Sequence, residues 1–485
     1  MPNTMDSLEQ QNEGSQSISP PIDGDPESRM KASIQERLNG VASLASRSCI
    51  YRVPEKLRKI NEEAYTPQVA SIGPFHHGKR KLRVTETDKL QYLRSFVDRR
   101  PDIAWEEYYD TMKRMEERTR QCYAEIISIS SAEFVEMMLL DGCFILEFLL
   151  RNSLEVSHRG EDPVSSNLWL SNAIKCDFIL LENQLPLFVL ESLYNLNRRD
   201  RDYSLSQIIS FSFPHMVPKV GQGLKENFKS SQVNRQQDCC CCCCSSSSSS
   251  CALLRENKVT DSVSTTVDMA DYELAIITSQ IKHLLDFVRH SYIPVTSSGN
   301  ENKLVELPPN VSQLREAGIK FEVGIAKCLL DISLKKGVLA IPFINIGDWT
   351  ESLFRNMIAF EQLHCVGPKF ITDYVTLLNS FVGSSKDVIL LQEEGIINSL
   401  LGDHERVPLI FNKLANEVNI DHQDFYFSDI CLDLNTYYSL YRVTWHAWKA
   451  NLIRTYFNAP WTVISVIAAV VMLVLSFLET IYSIN

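Results

Sequence analysis

Side chains able to move protons, attack a carbon or hold a metal come first: ten histidines, fourteen cysteines and a few carboxylates inside apolar runs. The histidines stand at 76, 77, 158, 215, 283, 290, 364, 404, 422 and 446, and none forms an H-E-x-x-H pair. His76 and His77 are adjacent, a poor geometry for one metal ion. Gly73-Pro74-Phe75-His76 reads as a turn with a packed aromatic, and a ligand or catalytic role for His76 is the sharper alternative. Glu182, Asn183 and Gln184 interrupt a strongly apolar helix. Buried polar groups must find partners, so these are expected to bond backbone freed by Pro186, with a polar ligand site at the break as the functional reading. Arg355 and Glu361 repeat the pattern, beside Asn356 and Gln362: internal pairing on one reading, acid–base work on the other. No G-x-S-x-G, Walker A or kinase signature occurs, and Gly221-Gln222-Gly223 lacks the rest of a phosphate loop. No nucleophile with an oriented base is visible, so no reaction, metal or cofactor is assigned.

Six cysteines form one run, Cys239, Cys240, Cys241, Cys242, Cys243 and Cys244, ahead of Ser245–Ser250 and Cys251. Neighbouring side chains point apart, so the run does not suit one tetrahedral metal site. It reads as a homopolymer expansion in a disordered loop, with S-acylation as the sharper alternative. The others are scattered without a C-x-x-C pair, which suits buried thiols in a reducing compartment.

The elements that would position these groups are mainly helical. A chain of 485 residues with a net charge of −12 fits two to four domains or one large helical one, and argues against a nucleic-acid binder. Residues 1–45 read as a disordered N-terminal segment. Thr85-x-x-Asp88 is expected to cap a helix carrying Leu90, Leu93 and Phe96, and a further helix is expected over 105–121. Phe134–Leu150 and Phe178–Leu193 are apolar nearly all round, hence buried helices, the second kinked at Pro186. The pattern fails over about 196–268, which reads as a disordered insert. A helical stripe returns at 271–289. A period of two marks a small β element around 319–346, with two strands flanking Lys335-Lys336-Gly337. Asp348-x-x-Glu351 reads as the cap of the next helix, followed by helices at 370–382, 387–401, 405–419 and 436–457.

From Ala459 to Leu478 no residue is charged, and 20 residues at 1.5 Å each match a hydrocarbon core of about 30 Å. The expectation is a transmembrane helix at 459–478 with a short tail, 479–485. Tyr456 and Trp461 read as interface residues, as do Trp445 and Trp448 one helix-length earlier, where a partner-binding face packing on another membrane protein is the sharper alternative. Arg442, Lys449 and Arg454 precede the span and no Lys or Arg follows it, placing the domain in the cytoplasm. No signal-peptide pattern opens the chain. The expected fold class is mainly α: a helical domain at 46–457, a small β element and one C-terminal transmembrane helix. Membrane lipids along 459–478 and an unidentified protein are the expected partners.

Several strings carry a resemblance. Ile50-Tyr51-Arg52-Val53-Pro54, Ser71-Ile72-Gly73-Pro74-Phe75-His76, Asp141-Gly142-Cys143-Phe144 and Leu181-Glu182-Asn183-Gln184-Leu185-Pro186 stand in one order with Phe354-Arg355-Asn356-Met357 and Tyr456-Phe457-x-x-Pro460-Trp461. This order resembles a land-plant family known as domain of unknown function 247, over about 47–485. The resemblance implies a single-pass membrane protein with no agreed enzymatic activity, and a role in recognition or signalling. The Cys/Ser block falls in the family's variable middle. A protein-interaction module is the expected function, with a membrane-tethered enzyme using a pocket at the polar helix breaks as the alternative.

Overall fold

A computed structural model describes residues 30–31, 34–35, 47–153, 163–199, 202–214, 216, 281–294, 306–324, 328–416, 418–420, 424–456 and 460–484. The chain divides into two compact units, Met1–Ser48 and Cys49–Asn485. The elements that follow lie in the second.

Helices α1 (Val84–Asp98) and α2 (Trp105–Arg120) pack against α3 (Ser131–Ser153). Apolar on all sides in sequence, α3 is central in space, burying Phe134, Phe144 and Phe148. After α4 (Leu168–Asp177), helices α5 (Leu187–Asn197) and α6 (Leu205–Ser212) cover its remaining faces. Gly142 permits the close approach of α5, because a Cβ there would collide with the Leu193 side chain.

Next come α7 (Leu284–His290) and α8 (Val311–Glu316), whose first turn is capped by Asn310. Strands β1 (Lys320–Val323), β2 (Ser333–Lys335) and β3 (Val338–Ile341) form one sheet, β3 central, parallel to β1 and antiparallel to β2. Lys336 (φ 52°) and Gly337 (φ 77°) turn the β2–β3 hairpin, two left-handed residues whose twist suits the strands. β4 (Ile344–Ile346) leads into α9 (Trp349–His364), then α10 (Phe370–Phe381) and α11 (Ser385–Glu393). β5 (Ile397–Ser399) pairs in parallel with β4. Helices α12 (Arg406–Ala415), α13 (Ser428–Tyr456) and α14 (Pro460–Ile484) complete the order.

Several expectations need correction. The transmembrane helix in the expected fold class does not stand, because among the described residues no helix is long and apolar enough to cross a membrane. The backbone over Pro460–Ile484 is helical, and its described side chains include the polar Ser465, Ser476, Glu479 and Thr480. The fold class is therefore mainly helical with two small sheets.

The helix expected over Phe178–Leu193 is not kinked but broken: α4 ends at Asp177, and Pro186 is the N-cap of α5. A proline lacking an N–H fits a helix start better than a helix interior. The helix expected over 387–401 stops at Glu393, since Gly395 (φ 71°) turns the chain into β5. Thr85 lies inside α1 and donates to the Leu82 and Val69 carbonyls. Asp348 makes no side-chain cap; the Thr350 hydroxyl accepts from the Gly347 N–H instead. Within the expected insert, Leu205–Ser212 is a helix closed by a Ser204–Gln207 capping box. Residues 271–280 of the expected stripe lie outside the described residues, as do Cys239–Cys244.

Candidate functional site

The loop between α4 and α5 carries Glu182, Asn183 and Gln184, all buried. Glu182 is a hub. Its Oε1 accepts from the Val53 N–H at 2.7 Å and from the Arg58 guanidinium, and its Oε2 faces His76 Nε2 at 3.1 Å. Lys79 Nζ lies 2.7 Å from His76 Nδ1. With the ammonium donating to Nδ1, the ring proton sits on Nε2 and donates to Glu182. Burial pushes the His76 pKa down, consistent with a neutral ring. Although burial alone raises the Glu182 pKa, its His76, Val53 and Arg58 donors together bring it below the usual range.

Asn183 and Gln184 close the end of α4. Asn183 Nδ2 donates to the Asp177 and Ala70 carbonyls at 2.9 Å each, and its Oδ1 accepts from the Ile72 N–H at 2.7 Å. Gln184 Nε2 donates to the Phe178 and Leu180 carbonyls at 2.7 and 2.8 Å. Of these acceptors, the Asp177 and Phe178 carbonyls lie at the end of α4, where intrahelical donors run out. Asp177 gathers the N–H groups of Gln68, Val69 and Ala70 at 2.9, 2.7 and 2.8 Å. Its pKa is pushed up to about 6 by burial against those three donors.

Arg355 and Asn356 on α9 join the same region from the other side. Asn356 Oδ1 accepts from the Leu181 N–H at 2.8 Å, while Nδ2 donates to the Ala64 carbonyl at 2.8 Å. Arg355 pairs with Glu351 at 2.9 Å and reaches the Tyr65 hydroxyl, which also feels Arg58. His76, Glu182 and Arg355 therefore share one polar neighbourhood. Glu361 belongs to another knot. Its carboxylate accepts from Arg289 Nε at 2.9 Å, the Ile371 and Thr372 N–H groups at 3.1 and 2.9 Å, and the Thr372 hydroxyl at 3.0 Å. A carboxylate at the first turn of α10 is favoured by the helix dipole. Nearby Asp373 accepts from the Tyr426 N–H at 2.9 Å, and its pKa is pushed up to about 8 by burial, with Glu361 and Asp424 adding repulsion.

Chemically, these knots tie chain segments distant in sequence. One relay leads outward, from buried Glu182 through His76 to the exposed Lys79, whose pKa burial of the ammonium lowers. Among the described residues no group of three or more His, Cys, Asp or Glu side chains is arranged to hold a metal ion.

A family model described as a plant protein of unknown function, domain of unknown function 247, matches residues 50–475. The chain belongs to that plant family. Among similar proteins, the UPF0481 protein At3g47200 of Arabidopsis thaliana is 27% identical over 464 residues, covering 89% of this chain and 85% of that protein. A second Arabidopsis thaliana protein, named putative UPF0481 protein At3g02645, is 23% identical over 492 residues, covering 89% of each. No solved structure matches the chain.

In this family member the four residues expected at a membrane interface separate. Trp445 and Trp448 are 50% and 55% exposed on α13, their ring centroids 5.3 Å apart. The side chains of Tyr456 and Trp461 lie outside the described residues. Two features escaped the sequence reading. Asp177, Lys89 and Asp141 carry as much of the polar framework as Glu182 does: Lys89 Nζ sits 2.6 Å from Asp141 and donates to the Ser71 carbonyl at 2.6 Å. The other is a seam on α13, Cys431, Leu434, Tyr438, Tyr441, Trp445 and Trp448, spaced 3, 4, 3, 4, 3. Cys431 and Leu434 are buried, Tyr438 packs on the core, Tyr441 is half-buried and both tryptophans stand free. That spacing was legible as a heptad seam.

Proposed function

We propose that this chain is a protein-interaction module whose contact face is the free end of the α13 seam, serving recognition or signalling. The observation carrying this reading is the continuity of the seam. Its first half docks the helix onto the body, and the same 3–4 spacing runs on through Tyr441, Trp445 and Trp448, where among the described residues nothing covers its exposed end. Exposed aromatic residues at knobs-into-holes spacing fit a partner helix with its own apolar seam, and tryptophan is the residue type most enriched at binding hot spots. The polar breaks support the reading from the other side, because their hydrogen bonds run to the chain's own backbone and side chains.

A photo-crosslinking residue at Arg442 of the full chain in plant cells tests this. The expected result is a discrete protein adduct, lost in Trp445→Glu and retained in Leu440→Glu, a change on the opposite side of the helix. Adducts unaltered by Trp445→Glu would remove the proposal. One observation favours the enzymatic alternative: the Lys79–His76–Glu182 relay joins an exposed amine to a buried carboxylate. That alternative requires Lys79 to react with an acylating reagent far faster than the other lysines, and His76→Gln to abolish the difference.

A further inference from the structure

A strap through Cys49, Ile50 and Tyr51 lies along the end of α2. Cys49 and Ile50 donate N–H bonds to the Cys122 carbonyl at 2.8 and 2.9 Å, and the Ala124 N–H donates to Ile50 O at 3.0 Å. Ile50 bridges Tyr123 in parallel, which sets Cys49 opposite Cys122 on the other face of the pairing. Paired strands run about 4.8 Å apart. That falls inside the Cα separation of about 4.4–6.8 Å that a disulfide spans. Neither cysteine is in a disulfide; the Cys49 thiol is hydrogen-bonded to Cys122, whose own Sγ donates to the Arg118 carbonyl at 3.4 Å.

We propose that Cys49 and Cys122 form a reversible disulfide, a redox modification site that pins the N-terminal strap to the end of α2. The parallel register places the two residues as direct neighbours across the pairing, within the backbone separation the bond needs. Closure ties residue 49 to residue 122 and so fastens the strap that also supplies the Val53 N–H to Glu182 and the Cys49 carbonyl to His283. With a peroxide as oxidant the step balances. The sulfur of Cys122, the more open residue of the two at 8% exposure, attacks one peroxide oxygen. An S–O bond forms, the O–O bond breaks, and water leaves with the sulfenic acid in place. The Cys49 sulfur then attacks the Cys122 sulfur: S–S forms, S–O breaks, and a second water carries away the oxygen and the thiol proton. Two thiols and one peroxide give one disulfide and two waters. The hydrogen bond to Cys122 and burial both hold the Cys49 thiol well above its ordinary range, so its attack is slow at neutral pH and quickens as pH rises.

The test uses the purified full chain, reduced and then treated with hydrogen peroxide, quenched by alkylation after denaturation and read by peptide mass spectrometry. The expected product is one Cys49–Cys122 cross-linked peptide pair, reversed by dithiothreitol, with the melting temperature several degrees above that of the reduced protein. In Cys49→Ser the resolving thiol is gone, so Cys122 should accumulate a dimedone-trappable sulfenic acid that the wild type does not retain. Recovery of Cys49 and Cys122 both alkylated after peroxide treatment, or Cys122 carried to sulfinic acid in the wild type, overturns the proposal. Circular dichroism of Cys49→Ser separates a failure to fold from a failure of the chemistry.

Discussion

Two regions break the ordinary rule of polar outside and apolar inside, in opposite directions. Between α4 and α5, Glu182, Asn183 and Gln184 are polar and buried; at the end of α13, Trp445 and Trp448 are apolar and exposed. In the first, every group named has a partner supplied by the chain: a carbonyl from the end of α4, an N–H from the strap, a guanidinium or an imidazole. A buried hydrogen bond contributes only about 1 kcal/mol net, whereas leaving one partner unpaired costs about 1–3 kcal/mol. Such a region holds geometry and resists change. In the second, an apolar seam outlasts the surface it packs on. Its cost is hydration of exposed aromatic area, which any partner that covers it relieves. Polar residues in an apolar run are thus a poor guide to a binding site, and a core-like spacing that continues beyond the core is a better one.

The sharpest way to break this contrast is at Glu182. Glu182→Ala leaves the Val53 N–H, His76 and the Arg58 guanidinium without their acceptor, and removing one partner of a buried pair costs about 3–5 kcal/mol. Urea denaturation should show a loss of that size, with m unchanged if the transition stays two-state. Asn183→Ala removes a side chain serving Ile72, Ala70 and Asp177, and should cost about 2 kcal/mol. If either variant is as stable as the wild type, the break is not the structural knot described, and a ligand role for these residues returns.

Asp373 sharpens the same contrast through pH. Its folded pKa of about 8 exceeds the ordinary value of 3.8, because burial, Glu361 and Asp424 all disfavour its charge. Between those values the unfolded chain has released the proton while the folded chain keeps it. This group's stabilisation is therefore complete below about pH 4 and is lost progressively as pH rises to about 8. Asp373→Asn keeps an acceptor for the Tyr426 N–H and removes the ionisation. It should flatten that decline, so that its advantage over the wild type grows as pH rises from about 4 to about 8. Melting curves from pH 4 to pH 9 measure this, and parallel curves for variant and wild type would contradict the assignment.

Much of the architecture was legible where local pattern and tertiary role coincide. All-round apolarity placed α3 in the centre, and the Lys336-Gly337 pair marked the hairpin. The polar break was visible as an interruption, yet its partners were not: Asn356 meets Leu181, and Asp177 meets Gln68 to Ala70, only after the chain has folded. No spacing rule encodes contacts between residues so far apart. Pro186 was read with the wrong sign because a proline that kinks one helix and a proline that starts another look alike without the backbone. β5 was lost in a helical period, since three residues carry too little pattern to outvote their neighbours. The Cys49–Cys122 contact was invisible for the same reason as the polar knots. Of the α13 seam, the Trp445 and Trp448 end was legible; its link back to Cys431 and Leu434 runs through Tyr438 and Tyr441, whose polar tips blur an apolar pattern.

The smallest expected effect on stability falls at the other pole of the comparison and decides it. Trp445→Glu and Trp448→Glu replace exposed rings that touch each other and stand beyond the core, so each should move folding stability by less than about 0.5 kcal/mol. The same changes put a carboxylate into the middle of an apolar seam, where a partner helix has no water to offer it. Stability and association are therefore predicted to separate: unchanged denaturation curves, but lost adducts at the seam. At Leu434, buried on the same seam, they must move together, because Leu434→Ala opens a cavity worth about 2–5 kcal/mol in the body that α13 docks on. If Trp445→Glu unfolds the protein as Leu434→Ala does, the free end of the seam is covered by the chain itself, and its surface has no vacancy for a partner.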